Sequence, residues 1–322
     1  MDAAERNAPA PRRRIAAFDA GRGAALVGMA IYHLSWDNAY FHLAPADLPT
    51  IPPMRLFSHA VAGAFLALAG ASLALAHRDT PHWRAFWRRI GVVGGAAALV
   101  TFASFLFAPQ EMIYFGILHC IAAASLLAAP LLLAPAWVAL ALGALVTAAP
   151  LLVASPLLDA PALVWFGLGT APPPTLDWRP LAPWAGIVFV SLGLTRLYFH
   201  RLIASPAARW RPAGLLGRAL ASGGRHSLAI YLLHQPVLLA VVFAMATLTG
   251  AGARWEAAEF TNVCQRECVA GGGKLQICAP ACACVLRGLR EAGLSHAIAR
   301  DSLDDAQQEH YSRVVQSCRV GP

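Results

Sequence analysis

The sequence predicts an all-α, polytopic membrane protein with about seven transmembrane helices, six to eight at the limits, followed by a small helical, disulfide-stapled tail. Three observations predict it. Of the 322 residues, 58% are hydrophobic and only 13% charged. The apolar residues come in blocks of about twenty, the length a helix needs to cross a hydrocarbon core of about 30 Å. Six of the seven cysteines lie after residue 260, where the apolar blocks have ended.

Residues 1–14 are polar and close on Arg12, Arg13 and Arg14, and a block long enough to span follows. That arrangement predicts a cytoplasmic N-terminal segment and a first span serving as both targeting signal and anchor, with no cleaved leader. The spans are expected at 22–41, 56–76, 89–108, 113–133, 135–154, 183–200 and 226–249. Only the proline-flanked "APLLLAPAW" separates the fourth from the fifth. The membrane domain is thus 15–249 and the tail 250–322.

Arginine placement sets the expected orientation. With the N-terminus inside, the cytoplasmic loops receive Arg78, Arg84, Arg88, Arg89, Arg196, Arg201, Arg209, Arg211, Arg218 and Arg225, besides Arg22. The opposite short loops receive only Arg55 and Arg179. Seven spans then leave the tail outside. The net charge of +8 is read as this interfacial charge and not as a nucleic-acid surface, because no basic stripe with interleaved aromatics is present.

In the tail, Cys264 and Cys268 stand one helical turn apart, as do Cys278 and Cys282, with "GGG" at 271–273 between them. Two short helices folded at that turn would be bridged Cys264 to Cys282 and Cys268 to Cys278, leaving Cys284 for Cys318. Six cysteines allow fifteen pairings, and a four-cysteine zinc site is the competing reading. An extracytoplasmic, oxidising location favours the bridges.

Polar groups at bilayer depth cost about 2.5–3.5 kcal/mol for Asp on insertion scales, so each needs a partner or a task. In the first span Asp19 and Arg22 are spaced for a local ion pair. His33 is three turns past Arg22 on the same face, about 16 Å deeper, and Asp37 follows one turn later. In the last span His234 lies about 12 Å past His226, with Tyr231 on nearly the same face. In the fourth, entered from outside, His119 lies about 9 Å deep. His33, Asp37, His119 and His234 therefore share a depth to within about 10 Å. A histidine beside a carboxylate suits general-base work, with His33 as base and Asp37 orienting it. Lone membrane histidines also serve as structural hydrogen bonders between helices. No histidine pair stands at metal-binding spacing on one helix, so no metal is expected.

The stretches "FDAGRGAALVGMAIYHLSWD", "YFGILHC", "DWRPLAPWAGIVFVSLG" and "GRHSLAIYLLHQP" resemble the bacterial relatives of the lysosomal heparan-alpha-glucosaminide N-acetyltransferase, within the wider transmembrane acyltransferases. The resemblance covers roughly residues 12–249, and the tail departs from it. It implies transfer of an acetyl or other acyl group from cytosolic acyl-CoA to a glycan or other envelope acceptor across a bacterial inner membrane. Asp19, Arg22 and Gly23 match the family's first motif, and His33 takes the polar position of its first helix. The key histidine of the lysosomal enzyme falls nearest to His42, offset by one, so His33 and His42 both stand as candidates. Arg22, with Asp19 and Arg225, would meet the anionic acyl-CoA. A transporter using the buried His and Asp set as a proton relay is the alternative.

Overall fold

The computed structural model describes residues 15–78, 81–294 and 304–318. The expected N-terminal cytoplasmic segment lies outside the described residues. The described residues form helices and no strands, the nearest approach to sheet being an isolated parallel bridge between Phe115 and Trp178. The helices are α1 Ala16–Tyr40, α2 Pro52–Ala76, α3 Trp83–Phe107, α4 Ile117–Leu127, α5 Ala136–Leu152 and α6 Leu181–Leu197. After them come the short α7 Phe199–Ala204 and α8 Pro206–Arg209, then α9 Gly214–Arg225, α10 Ser227–Thr249, α11 Ala251–Ala270, α12 Leu275–Glu291 and α13 Asp305–Ser317.

All seven apolar stretches fall on helices. By length and composition α2, α3 and α10 are long and apolar enough to cross a membrane, and α4, α5 and α6 are shorter apolar helices. α1 has 25 residues, about 37 Å of rise, with Asp19, Arg22, His33 and Asp37 interrupting its apolar surface. α4 is shorter than its apolar stretch because Gly116 caps its start and Pro130, which cannot donate a backbone hydrogen bond, opens a 3-10 turn soon after its end. Proline also sets the start of α2, where Pro52 and Pro53 occupy positions whose N–H groups would have no helical acceptor.

The chain divides into two compact units. One holds the described residues up to His33 with Thr50–Val237, and the other Leu34–Pro49 with the residues from Leu238 onward. The core of the first is built by α2, α4, α5 and α6 around Leu66, Leu73, Cys120, Ala139, Val188 and Leu192. Its helices meet at backbone distance. A Cβ on Gly186 would stand 2.6 Å from the carbonyl oxygen of Gly143, and one on Gly70 2.3 Å from that of Val188. Without a hydrophobic drive between helices in lipid, such small-residue contacts supply the packing.

In the second unit α11 and α12 form a hairpin turned at Gly272, whose φ of +91° suits glycine. Three disulfides, Cys264–Cys282, Cys268–Cys278 and Cys284–Cys318, hold the hairpin and tie α13 to α12. The first two are the partners that one-turn spacing on facing helices brings together, and the third joins the two cysteines that remain. Val285, Leu289 and Leu294 pack beneath them with Phe260, Tyr311 and Val314.

Candidate active site

His33 on α1 and His234 on α10 meet edge to face with ring centroids 5.0 Å apart, and Tyr231 lies 5.6 Å from His234. His234 Nδ1 is 2.5 Å from the carbonyl oxygen of Tyr231. A carbonyl only accepts, so Nδ1 carries the proton and Nε2 presents its lone pair. That Nε2 is buried and has no hydrogen-bond partner among the described residues. A ring fixed through Nδ1–H and presenting the Nε2 lone pair is what a general base requires. Tyr231 itself packs with Leu228 and Leu232 against Ala96, Ala97 and Leu118 of α3 and α4, which sets the angular position of this face of α10.

His119 is engaged differently. Its Nδ1 accepts from the Gly116 N–H at 3.3 Å, and its Nε2 stands 3.1 Å from Thr101 Oγ1. Thr101 gives its own proton to the Ile113 carbonyl at 2.7 Å, so it accepts from His119 Nε2–H. The two constraints agree on one tautomer and occupy both nitrogens. His119 thereby closes the start of α4 and ties it to α3.

Asp177 completes that closure. Its Oδ2 accepts from Ile117 N at 2.8 Å, placing a carboxylate on the positive end of α4. Gly116 makes room for it, since a Cβ there would stand 2.4 Å from Oδ2. The segment carrying Asp177 lies along residues 111–115. Leu176 N donates to Glu111 O, Thr175 Oγ1 to Met112 O and Arg179 N to Phe115 O, at 2.8–3.1 Å. This pairing fixes Arg179, whose Nη2 donates to Ser58 Oγ and Nη1 to Trp178 O, both at 2.7 Å, with the guanidinium carbon 5.0 Å from the Trp184 ring centroid. Arg179 is near enough to His33, His59 and Tyr231 for its charge to act on each.

At the other end of α1, Arg22 Nη1 pairs with Asp19 Oδ1 at 2.8 Å and Nη2 donates to Ser72 Oγ. α9 crosses α1 here in backbone contact: a Cβ on Gly23 would stand 2.1 Å from Leu220 O, and one on Gly224 1.7 Å from Asp19 O. Arg225, exposed, is the next residue on α9. Asp19, Arg22 and Arg225 thus share one crossing. Arg89 of α3 is within electrostatic range of Arg22, which brings a second guanidinium to this end of α1.

Asp37 is buried, 3% exposed, one turn beyond His33 along α1, and belongs with His42 to the second unit. His42 has a φ of +58° and stacks on Trp255 at 3.9 Å. It lines a cleft of about 810 Å³ with Tyr40, Phe41, Phe243 and Thr247. Among the described residues no group of three or more His, Cys, Asp or Glu is placed to hold a metal.

Arg179, Asp177 and Arg89 carry no role in the sequence reading. Arg179 had a signal: an arginine expected at the outer edge of a span runs against the charge bias and so needs a local reason. Asp177 and Arg89 had none, since a cap supplied from 60 residues away and a charge counted as interfacial look like ordinary loop residues. A family model described as "Heparan-alpha-glucosaminide N-acetyltransferase, catalytic" matches residues 14–236. No curated protein and no solved structure matches the chain.

Proposed function

The chain belongs to the heparan-alpha-glucosaminide N-acetyltransferase family, a family of membrane acetyltransferases, and from that premise we propose that it moves an acetyl group from cytosolic acetyl-CoA to the amine or hydroxyl of a sugar outside the cell membrane. The observation that carries the chemical part is the His33–His234 pair with the bare, buried Nε2 of His234. An acceptor attacking a thioester must lose a proton, and in this reading the pair takes it. Two imidazoles at this separation do not both hold a proton at low cost, so they act as one base.

Arg22 and Arg89 suit the donor. Two guanidiniums within electrostatic range of each other concentrate positive charge, and coenzyme A phosphates supply the opposite sign in a form that arginine binds well. The orientation that serves this chemistry has the N-terminus and the α1–α9 crossing on the cytoplasmic side of a bacterial inner membrane. Seven spans then place the cysteine tail outside, where its bridges persist. His119 holds the start of α4 in this reading and handles no substrate proton.

The test is transfer in proteoliposomes, with radiolabelled acetyl-CoA supplied on the side of Arg22 and glucosamine on the other. Label appearing on glucosamine supports the reading. Absence of both transfer and acetyl-CoA binding, with a pH-driven flux instead, would favour a transporter.

A further inference from the structure

Attack on a thioester drives electrons onto the carbonyl oxygen, and stabilising that charge with fixed donors is commonly the largest contribution an enzyme makes. His234 does not supply such a donor: its Nε2 is an acceptor, and its Nδ1–H is given to Tyr231 O. We propose that Arg179 is the oxyanion-stabilising residue, its guanidinium donating to the tetrahedral oxyanion formed beside His33 and His234. This rests on the acetyl-transfer reading.

Four features of Arg179 point there. Its backbone is pinned to Phe115 and its guanidinium to Ser58 and the Trp178 carbonyl, so the group is oriented before substrate arrives. Those bonds use two of five N–H donors, leaving three free. It is partly buried and makes no ion pair among the described residues, because Asp177, two residues away, is committed to the start of α4. And its charge reaches His33 and Tyr231. A tether between α2 and α6 needs no charge, and leaving one partly buried without a counter-ion is costly. An anion that appears only during reaction resolves that cost.

The step balances without redox chemistry. The acceptor's lone pair forms the new bond to the carbonyl carbon while the carbonyl π pair moves to oxygen, where Arg179 holds it. The acceptor's proton passes to the imidazole. Collapse restores the carbonyl, breaks the carbon–sulfur bond and releases the thiolate, which takes the proton back from the imidazolium. The products are the acetylated acceptor and free coenzyme A.

The experiment compares wild type, Arg179→Ala and Arg179→Lys as purified full chains in proteoliposomes with acetyl-CoA and glucosamine. Arg179→Ala should lower kcat about 10²–10³-fold with KM for acetyl-CoA within about twofold and an unchanged thermal midpoint. Added guanidinium should restore about tenfold or more of the lost rate and leave wild type unaffected, and Arg179→Lys should fall between. A kcat within about threefold of wild type, or a loss that guanidinium does not recover, overturns the assignment. Failure of the wild type itself to transfer acetyl overturns the acetyl-transfer reading, and with it the role of Arg179.

Discussion

Gly224→Ala should separate α9 from α1 and disable donor binding. The added Cβ would stand 1.7 Å from Asp19 O, whereas carbon and carbonyl oxygen rest at about 3.3 Å. The two helices must therefore part by about 1.6 Å, or the contact must be relieved by an equivalent rotation. Alanine is favoured over glycine in a helix by up to about 1 kcal/mol, while overpacking at a tight contact costs about 1–3 kcal/mol or more. The balance predicts a loss of about 1–2 kcal/mol. The displaced backbone belongs to Asp19, the carboxylate that orients Arg22, and a misplacement of about 1 Å costs on the order of 10² in rate. The expected outcome is a kcat/KM for acetyl-CoA lowered by that order, with a lowered thermal midpoint, measured beside Gly94→Ala. A Cβ added at Gly94 would have no atom within 4 Å, so that variant should behave as wild type or slightly better. Equal stability and equal kcat/KM for the two variants would refute backbone contact between α1 and α9.

Three further outcomes are expected. His33→Ala and His234→Ala should each lower transfer by about 10²-fold or more with membrane insertion unchanged, and the double variant should be little worse than either, because the pair acts as a unit; multiplicative losses would argue for two separate roles. Denatured, unreduced protein should titrate one thiol, Cys120, and reduced protein seven, while replacing Cys284 and Cys318 by serine should cost the tail about 3–4 kcal/mol from a 34-residue closure, read as faster proteolysis; seven thiols without reductant would remove the bridges. In the loop after α5 the Thr170 hydroxyl, aided by the Ala171 N–H, holds the Asp159 carboxyl below its ordinary 3.8. A lowered folded value means the contribution to the loop is present above the ordinary range and lost as pH falls through the lowered one, so the Thr170 amide resonance should titrate below pH 3.8, and a midpoint at or above it would contradict the contacts.

Features that depend on neighbours along the chain are legible in the amino-acid order. Apolar run length predicted where the helices lie, since burial in lipid adds residue by residue, and proline and glycine marked their ends. One-turn cysteine spacing favoured the disulfide partners, and a three-residue step predicted the Asp19–Arg22 pair. For the site it supplied one coordinate of three. Counting residues from an interface gives depth, which is why His33, His119 and His234 were expected at similar levels, but it gives no angle about the helix axis and no distance between helices. Those were decided by tertiary packing: Tyr231 and Leu228 lodged against α3 and α4 turn His234 toward His33, while the paired segments 111–115 and 175–179 draw His119 into the start of α4 and carry Arg179 within electrostatic range of His33 and His59. The close crossings that allow this are made by Gly23, Gly143, Gly186 and Gly224. A residue without a side chain has no apolar or charged signature of its own, so the contacts that fix the angles are the ones the sequence does not display.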